Sequence, residues 1–563
     1  MLFPEARSKE RVEQLLSSAV LQKELASLEE ARTHYLNTPV EDLPFHIFRL
    51  YFTTGDRLQY EALYFSKRGR LATFALAVLL YHRTEDIEAL EDTIWSICNE
   101  FTWMLPAHIP DQGGRYDTGF IDLFSAETGF ALAEIDSLLG DVLDQKIHTR
   151  ILSCLEERIF QPYLTRSFWW ESAEMNWAAV CAGSVGAAFL YTAPERFPLV
   201  KARIADTMQC FLSGFGSDGA CLEGIGYWNY GYGYFHYYAQ LLYEFTDGKE
   251  DPAAQPICKK IALFQQNVFL RKNYTVSFSD GDQRSGFLPG LSCHLKSKYG
   301  NCVFLPSAEY AEYDDPCHRF PAYLRNFFWN DLDADSFSYA AMNQSYKYYY
   351  PDAQWYLKSA SILSFAAKGG NNGEPHNHND IGSFLLTGEE GQILCDFGCG
   401  EYTKDYFNPE KRYHFLCNSS KGHSVPIINK MAQSAGKQYC AEILSQDDES
   451  FCLDLAGAYP PECGILSLKR SFLMTEDSVF VLQDTFAFTE SGNKVTERFV
   501  TMKKPVLSEQ KILLGIRELT WEGCDTPVLK KALLKNHSGK EESLYIIDFE
   551  RTDPETFVLK VTP

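Results

Sequence analysis

Glu374-Pro375-His376-Asn377-His378-Asn379-Asp380 places two histidines, two amides and a carboxylate within five consecutive residues. The glycine-rich segment 369–373 before it predicts a loop, and the run Ile381-Gly-Ser-Phe-Leu-Leu-Thr387 after it predicts a strand. Polar side chains at the end of a strand are held by a rigid element. This stretch therefore indicates a β-sheet domain that carries a functional site.

Two segments downstream add ligand-type side chains to this site. Residues 393–398 predict the return strand of a hairpin whose turn is 388–391, which brings Asp396 back near His378. His423 follows, just before another apolar run. Zinc accepts imidazole nitrogen and carboxylate oxygen in tetrahedral geometry, so His378, Asp396 and His423 form a candidate metal set. Their spacing matches no short zinc signature, so the residues alone leave open the alternative of hydrogen-bonded loop side chains.

Length and charge limit the classes of protein that this chain can be. At 563 residues it exceeds the size of a single hydrophobic core, so two or three domains are expected. The net charge is −23, with 52 Lys and Arg against 75 Asp and Glu, which argues against a general nucleic-acid or membrane-surface binder. An acidic substrate would need a locally basic cleft.

Cysteine usage and the N-terminal sequence predict a cytoplasmic location. The 16 cysteines are scattered through apolar runs without a CxxC pair, which is typical of free thiols in a reducing compartment. The first eleven residues are charged where a signal peptide would be apolar. The longest apolar run, 71–80, is too short to span a bilayer and predicts a buried helix. Assembly into a homo-oligomer is left open.

Helical periodicity dominates the chain from about residue 10 to 340. Short polar turns join the segments, so consecutive helices are expected to pack as antiparallel hairpins in an (α/α) toroid or a large bundle. The predicted helices are 12–30, 71–81, 85–101, 118–139, 145–160, 176–191, 200–214 and 231–245.

From about residue 355 the pattern changes to short, β-rich runs bounded by turns. The fold class predicted is α+β and multidomain: an N-terminal (α/α) toroid, 1–340, followed by a C-terminal antiparallel β-sandwich, 341–563, that carries the metal site. The predicted strands are 361–367, 381–386, 465–474, 478–487, 494–502, 511–516, 543–549 and 557–561.

Two helical stretches carry polar or aromatic chemistry. Asn176 lies at the start of a helix, where amide donors gather and an anion is favoured, although a simple N-cap is an equal alternative. Tyr227, Tyr230 and Tyr234 have the spacing of one helix face, which is more often core than catalytic. Glycines at 224, 226, 231 and 233 are costly inside a helix and predict instead a loop that lines a cleft.

Taken in order, these stretches resemble the heparinase II/III-like family of polysaccharide lyases, which combine a helical toroid with an antiparallel β-sandwich. The similarity runs from about residue 100 to 430. The segments that carry it are Asn176-Trp-Ala-Ala-Val-Cys181, Glu223-Gly-Ile-Gly-Tyr-Trp-Asn-Tyr-Gly231, His376-Asn-His-Asn-Asp-Ile-Gly-Ser-Phe384, Asp396-Phe-Gly-Cys-Gly-Glu-Tyr402 and Ser419-Ser-Lys-Gly-His423.

The resemblance implies a reaction and three catalytic residues. Such enzymes cleave the bond at O4 of a uronic acid by β-elimination, here in a glycosaminoglycan or alginate-type oligosaccharide. By position, Asn176 would neutralise the uronate carboxylate, Tyr230 would be the catalytic tyrosine with Tyr227 as the fallback, and His376 would be the catalytic histidine. A tyrosine acting as base would need a nearby cation or donor to lower its pKa from about 10.

The resemblance also implies a metal and a substrate surface. His378, Asp396 and His423 match the positions that hold a structural zinc ion in several members. Trp177, Glu223, Tyr227, Arg412 and Tyr413 are the candidate contacts to an acidic, uronate-containing oligosaccharide. Met175 departs from the polar residue that many relatives carry there, and Tyr402, Tyr406 and His414 lie in a segment of variable role.

Two other classes of function remain as alternatives. A glycoside hydrolase can be built on an (α/α) toroid, but it needs two carboxylates across the scissile bond. A non-catalytic carbohydrate-binding protein can use the same scaffold. The type of product, unsaturated or hydrolysed or absent, separates the three.

Overall fold

The computed structural model describes residues 2–110, 116–300, 303–313, 315–333, 337 and 346–562. The chain divides into two compact units. Two segments that lie before residue 340, 215–226 and 260–285, belong to the second unit. A linear division at residue 340 does not include this exchange of segments. The first unit is Met1–Gly214, Tyr227–Lys259 and Gly286–Ser338, and the second is Phe215–Gly226, Lys260–Ser285 and Tyr339–Pro563.

Helices build the first unit, as the periodicity predicts. The predicted helix 12–30 is wrong in one respect: the chain breaks at Ser18 and forms two helices. The helices of the described chain are α1 (Lys9–Ser17), α2 (Gln22–Leu36), α3 (Phe45–Phe48), α4 (Leu50–Thr54), α5 (Leu58–Tyr81), α6 (Thr84–Cys98), α7 (Leu123–Leu139), α8 (Gln145–Leu155), α9 (Gln161–Thr165), α10 (Asn176–Thr192), α11 (Lys201–Ser213), α12 (Ile225–Tyr227), α13 (Gly233–Phe245), α14 (Pro256–Val268), α15 (Pro289–Tyr299) and α16 (Phe320–Phe328).

Small residues let the central helices of this unit pack closely. Helix α10 contacts both α7 and α13, and its middle is almost entirely Ala, Gly, Ser and Val. A Cβ at Gly183 would lie 3.1 Å from the Tyr234 carbonyl, and one at Gly186 would lie 2.5 Å from the Tyr238 ring. The short side chains of α10 therefore allow the tyrosine-rich helix α13 to approach it.

The glycine-rich tyrosine segment is helical, so the predicted loop there is wrong. Helix α12 passes through a π-helical turn, Trp228–Tyr232, into α13 without a break. Gly231 is flexible and disfavours a helix, but it allows close packing, because a Cβ there would lie 3.1 Å from Asn176. π-Turns inside helices occur often at functional sites.

Antiparallel sheets build the second unit, as predicted. They form an eight-stranded sheet (β11-β12-β13-β14-β21-β18-β17-β16), a five-stranded sheet (β3-β4-β5-β7-β8), a four-stranded sheet (β19-β20-β15-β9) and two small ones, β1-β2 and β10-β6. The strands are β1 (Phe269–Arg271), β2 (Tyr274–Thr275), β3 (Tyr346–Tyr350), β4 (Trp355–Ser359), β5 (Leu363–Lys368), β6 (Asn371–Asn372), β7 (Phe384–Gly388), β8 (Gly391–Leu394), β9 (Ile427–Ile428), β10 (Gly436–Cys440), β11 (Glu442–Gln446), β12 (Ser450–Asp454), β13 (Ile465–Met474), β14 (Phe480–Phe488), β15 (Lys494–Thr501), β16 (Val506–Ser508), β17 (Lys511–Leu514), β18 (Arg517–Glu522), β19 (Val528–Lys535), β20 (Glu541–Thr552) and β21 (Thr556–Thr562).

One hydrophobic core joins the three larger sheets of this unit. Phe384 from the five-stranded sheet lies 5.3 Å, ring centre to ring centre, from both Phe472 and Phe480 of the eight-stranded sheet. It also lies 6.2 Å from Phe499 of the four-stranded sheet. Because Phe384 begins β7, directly after the histidine-rich loop, the core fixes the end of that loop.

Three further predictions concern the hairpin turn, the cysteines and membrane-spanning helices. The hairpin β7–β8 turns where the sequence predicts it, with Gly391 at φ 98°. The cysteines of the described ranges are all unpaired thiols. Over the same ranges, none of the helices combines the length and apolar character needed to cross a bilayer.

Arg470 is a fully buried cation that connects the sandwich to the site loops. Its guanidinium donates to both carboxylate oxygens of Asp484 on β14 and lies 3.4 Å from Glu497 on β15. Its Nη1 also donates to the carbonyl oxygens of Gly382, at 2.9 Å, and Ser424, at 2.7 Å. Gly382 follows the segment of His378, and Ser424 directly follows His423, so the Arg470 side chain holds the segments of both predicted ligands.

Replacing Arg470 with Met is expected to destabilise the protein strongly. The change leaves two buried carboxylates without their cation, which costs about 3–5 kcal/mol of unfolding free energy. Denaturant titration followed by tryptophan fluorescence measures this loss. Arg498→Met is the matched control, because Asp548 keeps Lys530 as a partner, and it is expected to cost much less. Equal effects of the two changes would contradict the role given to Arg470.

Candidate functional site

A buried carboxylate, Asp280, is the centre of the polar cluster in the sheet unit. It accepts hydrogen bonds from His376 Nδ1 at 2.7 Å, His378 Nε2 at 3.0 Å and Arg412 Nη2 at 3.2 Å, and from the hydroxyl of Tyr406. Burial by itself would raise the pKa of Asp280. The bonds from the two histidines and the charge of Arg412 instead hold that pKa well below its usual range.

His376 is held in one tautomer and in an unusual backbone conformation. Because Nδ1 donates to Asp280, the lone pair of the neutral ring is on Nε2, which lies 3.6 Å from a Glu223 carboxylate oxygen. Its φ of 54° is in the left-handed region, which costs a non-glycine residue roughly 1–3 kcal/mol and recurs at active sites. The structure therefore brings together the predicted residues His376 and Glu223.

The segment after β8 supplies the basic part of this cluster. Arg412 is buried and, besides Asp280, donates from Nε and Nη2 to the Asn377 carbonyl in the histidine-rich loop. Tyr413 follows in the same 3-10 turn and is half-buried. Tyr406, which had no assigned role in the sequence, contacts Asp280 directly. Arg412 is thus a buried cation that pairs with Asp280 in the same cluster as His376.

The three predicted metal ligands lie together, all fully buried. One ligand atom from each of His378, Asp396 and His423 falls within 4.8 Å of the others. Close backbone packing brings the Asp396 loop to the Asp280 loop: Gly398, at φ 74°, passes so near the Gly281 carbonyl that a Cβ would lie 2.1 Å from it. The hairpin geometry inferred from the sequence is confirmed.

The hydrogen bonds of the two histidines leave one metal-binding nitrogen on each ring. His378 donates Nε2 to Asp280 and His423 donates Nε2 to the Cys417 carbonyl, which leaves Nδ1 of each ring for an ion. Nδ1 of His378 has no hydrogen-bond partner among the described residues. Nδ1 of His423 lies 3.1 Å from Asp396 Oδ2, so two lone pairs would meet there unless a proton or a cation lies between them.

Electrostatics around the trio favour a cation. Burial would lower the pKa of His423, but Asp396 and Asp380 raise it to about 9. Asp380 Oδ2 is 3.7 Å from His423 Nδ1, and its other oxygen accepts from the buried Lys368 at 2.9 Å. The residues fit a divalent ion, because one carboxylate and two imidazole nitrogens, that of His423 after it has released its proton, are ligands that such an ion accepts.

In the helical unit the structure places Asn176 against the tyrosine segment. Asn176 is buried and is the first residue of α10, and Met175 holds the N-cap position, so the N-cap alternative for Asn176 is wrong. Gly231 packs against the Asn176 Cα and Cβ, which brings Tyr230 beside this helix start. Backbone N–H groups at a helix start favour a negative group such as a carboxylate.

Tyr230 lies between a cation and a carboxylate. The Arg319 guanidinium carbon is 4.0 Å from the centre of its ring, and Arg319 Nε donates to Glu127 at 3.0 Å. Burial and the Glu127 charge raise the pKa of Tyr230 well above its ordinary value, and Arg319 opposes them only in part. A tyrosine base would need a lowered pKa, which Tyr230 does not have, and this hydroxyl suits a proton donor instead.

The other predicted residues of this unit have distinct surroundings. Trp177 is half-buried on α10, and Tyr227 is half-buried at the end of α12. His236, on α13, is fully buried with its ring 4.5 Å from that of Tyr232 and 5.2 Å from that of His294. It serves packing.

Two groups of site residues were missed by the sequence interpretation. Asp280 lies in Ser279-Asp280-Gly281, a motif that looks like any polar turn, and nothing local distinguishes it. Glu127 lies on α7 and Arg319 directly precedes α16, 192 residues away in sequence, and a charge on or beside a helix usually marks a solvated face. Only their burial reveals them.

Comparison with solved structures identifies the fold. Heparinase III is similar over 100% of this chain and 94% of its own length, with a TM-score of 0.63 and 11% identity. A mutant heparan sulfate lyase from Pedobacter heparinus is similar over 90% and 76%, at 0.59 and 14%. A chondroitin AC lyase mutant from Streptomyces coelicolor A3 is similar over 100% and 83%, at 0.52 and 11%. No family model matches the chain, and no curated protein is similar to it in sequence.

The architecture is the one that these solved structures share, a helical (α/α) toroid followed by an antiparallel β-sandwich. The fold is therefore heparinase-like, as the resemblance of the five sequence segments predicts.

The pH dependence of stability tests the environment of Glu127. Burial raises its pKa to about 7, against the charge of Arg319, so the folded state retains a proton that the unfolded chain releases from its ordinary value of 4.5. This group therefore lowers the unfolding free energy as the pH rises through that interval, by on the order of 1–3 kcal/mol. Glu127→Gln should remove this part of the slope in melting curves recorded between about pH 5 and about pH 8.

Glu157→Gln is the control, because Glu157 is an exposed glutamate of the same unit. It is expected to leave the pH profile as in the unchanged protein. A Glu127→Gln profile that parallels the unchanged protein would contradict the assigned surroundings of Glu127.

Proposed function

We propose that this protein is a polysaccharide lyase that cleaves 4-linked uronic-acid bonds of an acidic oligosaccharide by β-elimination. The observation that carries the proposal is the His376–Asp280 pair: the 2.7 Å bond from Nδ1 makes Nε2 the basic nitrogen, on a lyase-type fold. The heparinase-like fold supports an acidic substrate.

The first step of the proposed reaction removes the C5 proton of the uronate. That proton is weakly acidic until the neighbouring carboxylate is screened, and Asn176 at the start of α10 supplies amide donors for this purpose. His376 Nε2 takes the proton, and Asp280 stabilises the imidazolium that forms.

The second step expels the leaving sugar. The electron pair of the C5–H bond forms the C4–C5 double bond, the C4–O4 bond breaks, and the O4 oxygen takes the proton of the Tyr230 hydroxyl. The raised pKa of Tyr230 keeps that hydroxyl protonated before reaction, which supports the role of acid. His376 is thus the base and Tyr230 the acid, and solvent exchanges the two protons afterwards.

A zinc ion held by His378, Asp396 and His423 is part of the proposal. When bound, it would fix three loops of the sheet unit and supply positive charge near the reaction. His378 shares Asp280 with His376, so the ligand set and the base are oriented by one carboxylate. The role given to the ion is structural.

Tyr230→Phe tests the acid. Removal of a general acid is expected to lower kcat by about 100-fold or more, with little change in oligosaccharide affinity. Ultraviolet absorbance of the new double bond, measured with heparan sulfate, chondroitin sulfate and alginate oligosaccharides, follows the reaction. Tyr227→Phe is the comparison, since Tyr227 is the alternative tyrosine, and it should retain most of the rate.

Mass analysis of the products decides the class of reaction. An unsaturated product supports the lyase, whereas a reducing end without unsaturation would indicate a hydrolase. Binding without any product would indicate a carbohydrate-binding protein. A Tyr230→Phe variant that turns over at the normal rate would contradict the role of Tyr230.

Metal content tests the trio directly. The purified protein is expected to contain about one equivalent of zinc by mass spectrometry, and Asp396→Asn or His423→Ala should lose it with a fall in melting temperature. His414→Ala, an exposed histidine of the same unit, is the control that should retain the metal. Equal metal content in all of these proteins would refute the site.

A further inference from the structure

The helical unit carries an aromatic cluster at its surface, of which only Trp177 is among the substrate contacts that the resemblance implies. Trp169 is 53% exposed, which is high for an indole, and its ring centre lies 4.9 Å from that of Trp177. The ring of His108 lies 5.0 Å from Trp177 and is stacked on Phe124 at 5.6 Å. Trp169 is the exposed ring of this cluster, since Trp177 is half-buried and Phe124 is buried, and an exposed aromatic face packed on further rings marks a candidate binding site.

The neighbouring tryptophan shows that this exposure is specific to one side of the chain. Trp170 is fully buried, is stacked with Phe168 at 5.2 Å and donates Nε1 to the Ile121 carbonyl. Trp170 therefore meets the packing needs of this turn. Trp169 contributes little to that core and leaves most of an apolar face in water.

His108 supplies a fixed polar group beside these rings. Its Nδ1 lies 2.8 Å from Asp122 Oδ2, and the Asp122 side chain is fully buried. Asp122 is itself immobilised, because it forms a capping box with Ser125 at the start of α7. The imidazole is thus oriented by a rigid helix end, and 13% of its side chain remains exposed.

The second ring nitrogen of His108 is the group left for a ligand. Within the described residues Nε2 has no hydrogen-bond partner and is not an enclosed atom. When Nδ1 donates to Asp122, the neutral ring presents a lone pair at Nε2, which accepts a hydrogen bond from a hydroxyl group. An apolar ring face next to one oriented acceptor is the pattern that a pyranose satisfies, since its C–H face is apolar and its edge carries hydroxyls.

We propose that Trp169, Trp177 and His108 form a saccharide-binding subsite that holds one sugar unit of a longer chain. The sugar stacks on the indole faces, and one of its hydroxyls donates to His108 Nε2. Asp122 is a positioning residue, because it orients the imidazole without touching the sugar. That the bound sugar belongs to the lyase substrate rests on the proposed function, whereas saccharide binding at this surface does not.

Calorimetric titration of the full-length Tyr230→Phe protein with hexasaccharides tests the subsite. The probes are hexasaccharides from heparan sulfate, chondroitin sulfate and alginate, and disaccharides of the same sources are the short-chain comparison. Trp169→Ala should weaken hexasaccharide binding by about 5- to 10-fold, the scale of one aromatic contact. Trp169→Phe should restore most of the affinity, and disaccharide binding should change less.

Trp95→Ala is the matched control, since Trp95 is exposed to a similar degree, 52%, on helix α6. It should leave the affinity unchanged. His108→Leu should weaken binding while His108→Gln, which retains an acceptor, weakens it less. The tryptophan variants and His108→Gln should keep the melting temperature within a few degrees, whereas His108→Leu leaves the buried Asp122 without its imidazole partner and should lower it. Failure of Trp169→Phe to restore binding would show that Trp169→Ala loses affinity because its fold is lost. That result would overturn the subsite.

The outcomes separate this inference from the proposed reaction. Unsaturated product together with equal hexasaccharide affinity in Trp169→Ala and the parent protein overturns the subsite and leaves the lyase. Weaker hexasaccharide binding in Trp169→Ala, together with no product from the unchanged protein, supports the subsite and overturns the lyase. Failure of every hexasaccharide to bind overturns the subsite.

Discussion

The buried charge of Asp280 is the constraint on which the polar site of the sheet unit depends. A carboxylate without partners is costly in a protein interior, and its cost is offset only when its oxygens are saturated by donors. Here the donors are His376, His378, Arg412 and Tyr406, which come from two separate loops. Saturation of one group therefore fixes the orientation of all the others, and a candidate base and a candidate metal ligand share a single reference point.

The two units adjust acidity in opposite directions with the same kinds of side chain. In the sheet unit, donors to Asp280 lower the pKa of a buried acid, so it stays charged beside the imidazole. In the helical unit, burial and the carboxylate of Glu127 raise the pKa of Tyr230, so its hydroxyl stays protonated. Arg319 lies over the ring and pairs with Glu127, which prevents that buried carboxylate from being left alone. The surroundings thus keep Asp280 charged and Tyr230 protonated, which are the states that the proposed roles require.

Local pattern and residue chemistry were enough to predict much of this molecule. The change from helical to strand periodicity, the hairpin that returns Asp396 and the trio with His378 and His423 follow from spacing and from the ligand preferences of imidazole and carboxylate. The helical state of the segment around Tyr230 does not, because the glycines there answer to close packing against Asn176, which is a contact between distant parts of the sequence. Asp280 was out of reach for the same reason: its burial and its partners are made by the tertiary fold.

The path of the chain has a consequence for heredity. Residues 215–226 and 260–285 leave the helical unit and join the sheet unit, and they carry Glu223 and Asp280 with them. A recombination event with a single breakpoint near residue 339 would deliver the histidine-rich loop from one parent and its carboxylates from the other. Such chimaeras would combine Asp280 and Glu223 of one parent with His376 of the other. The gene segments on the two sides of residue 339 are therefore expected to be inherited together.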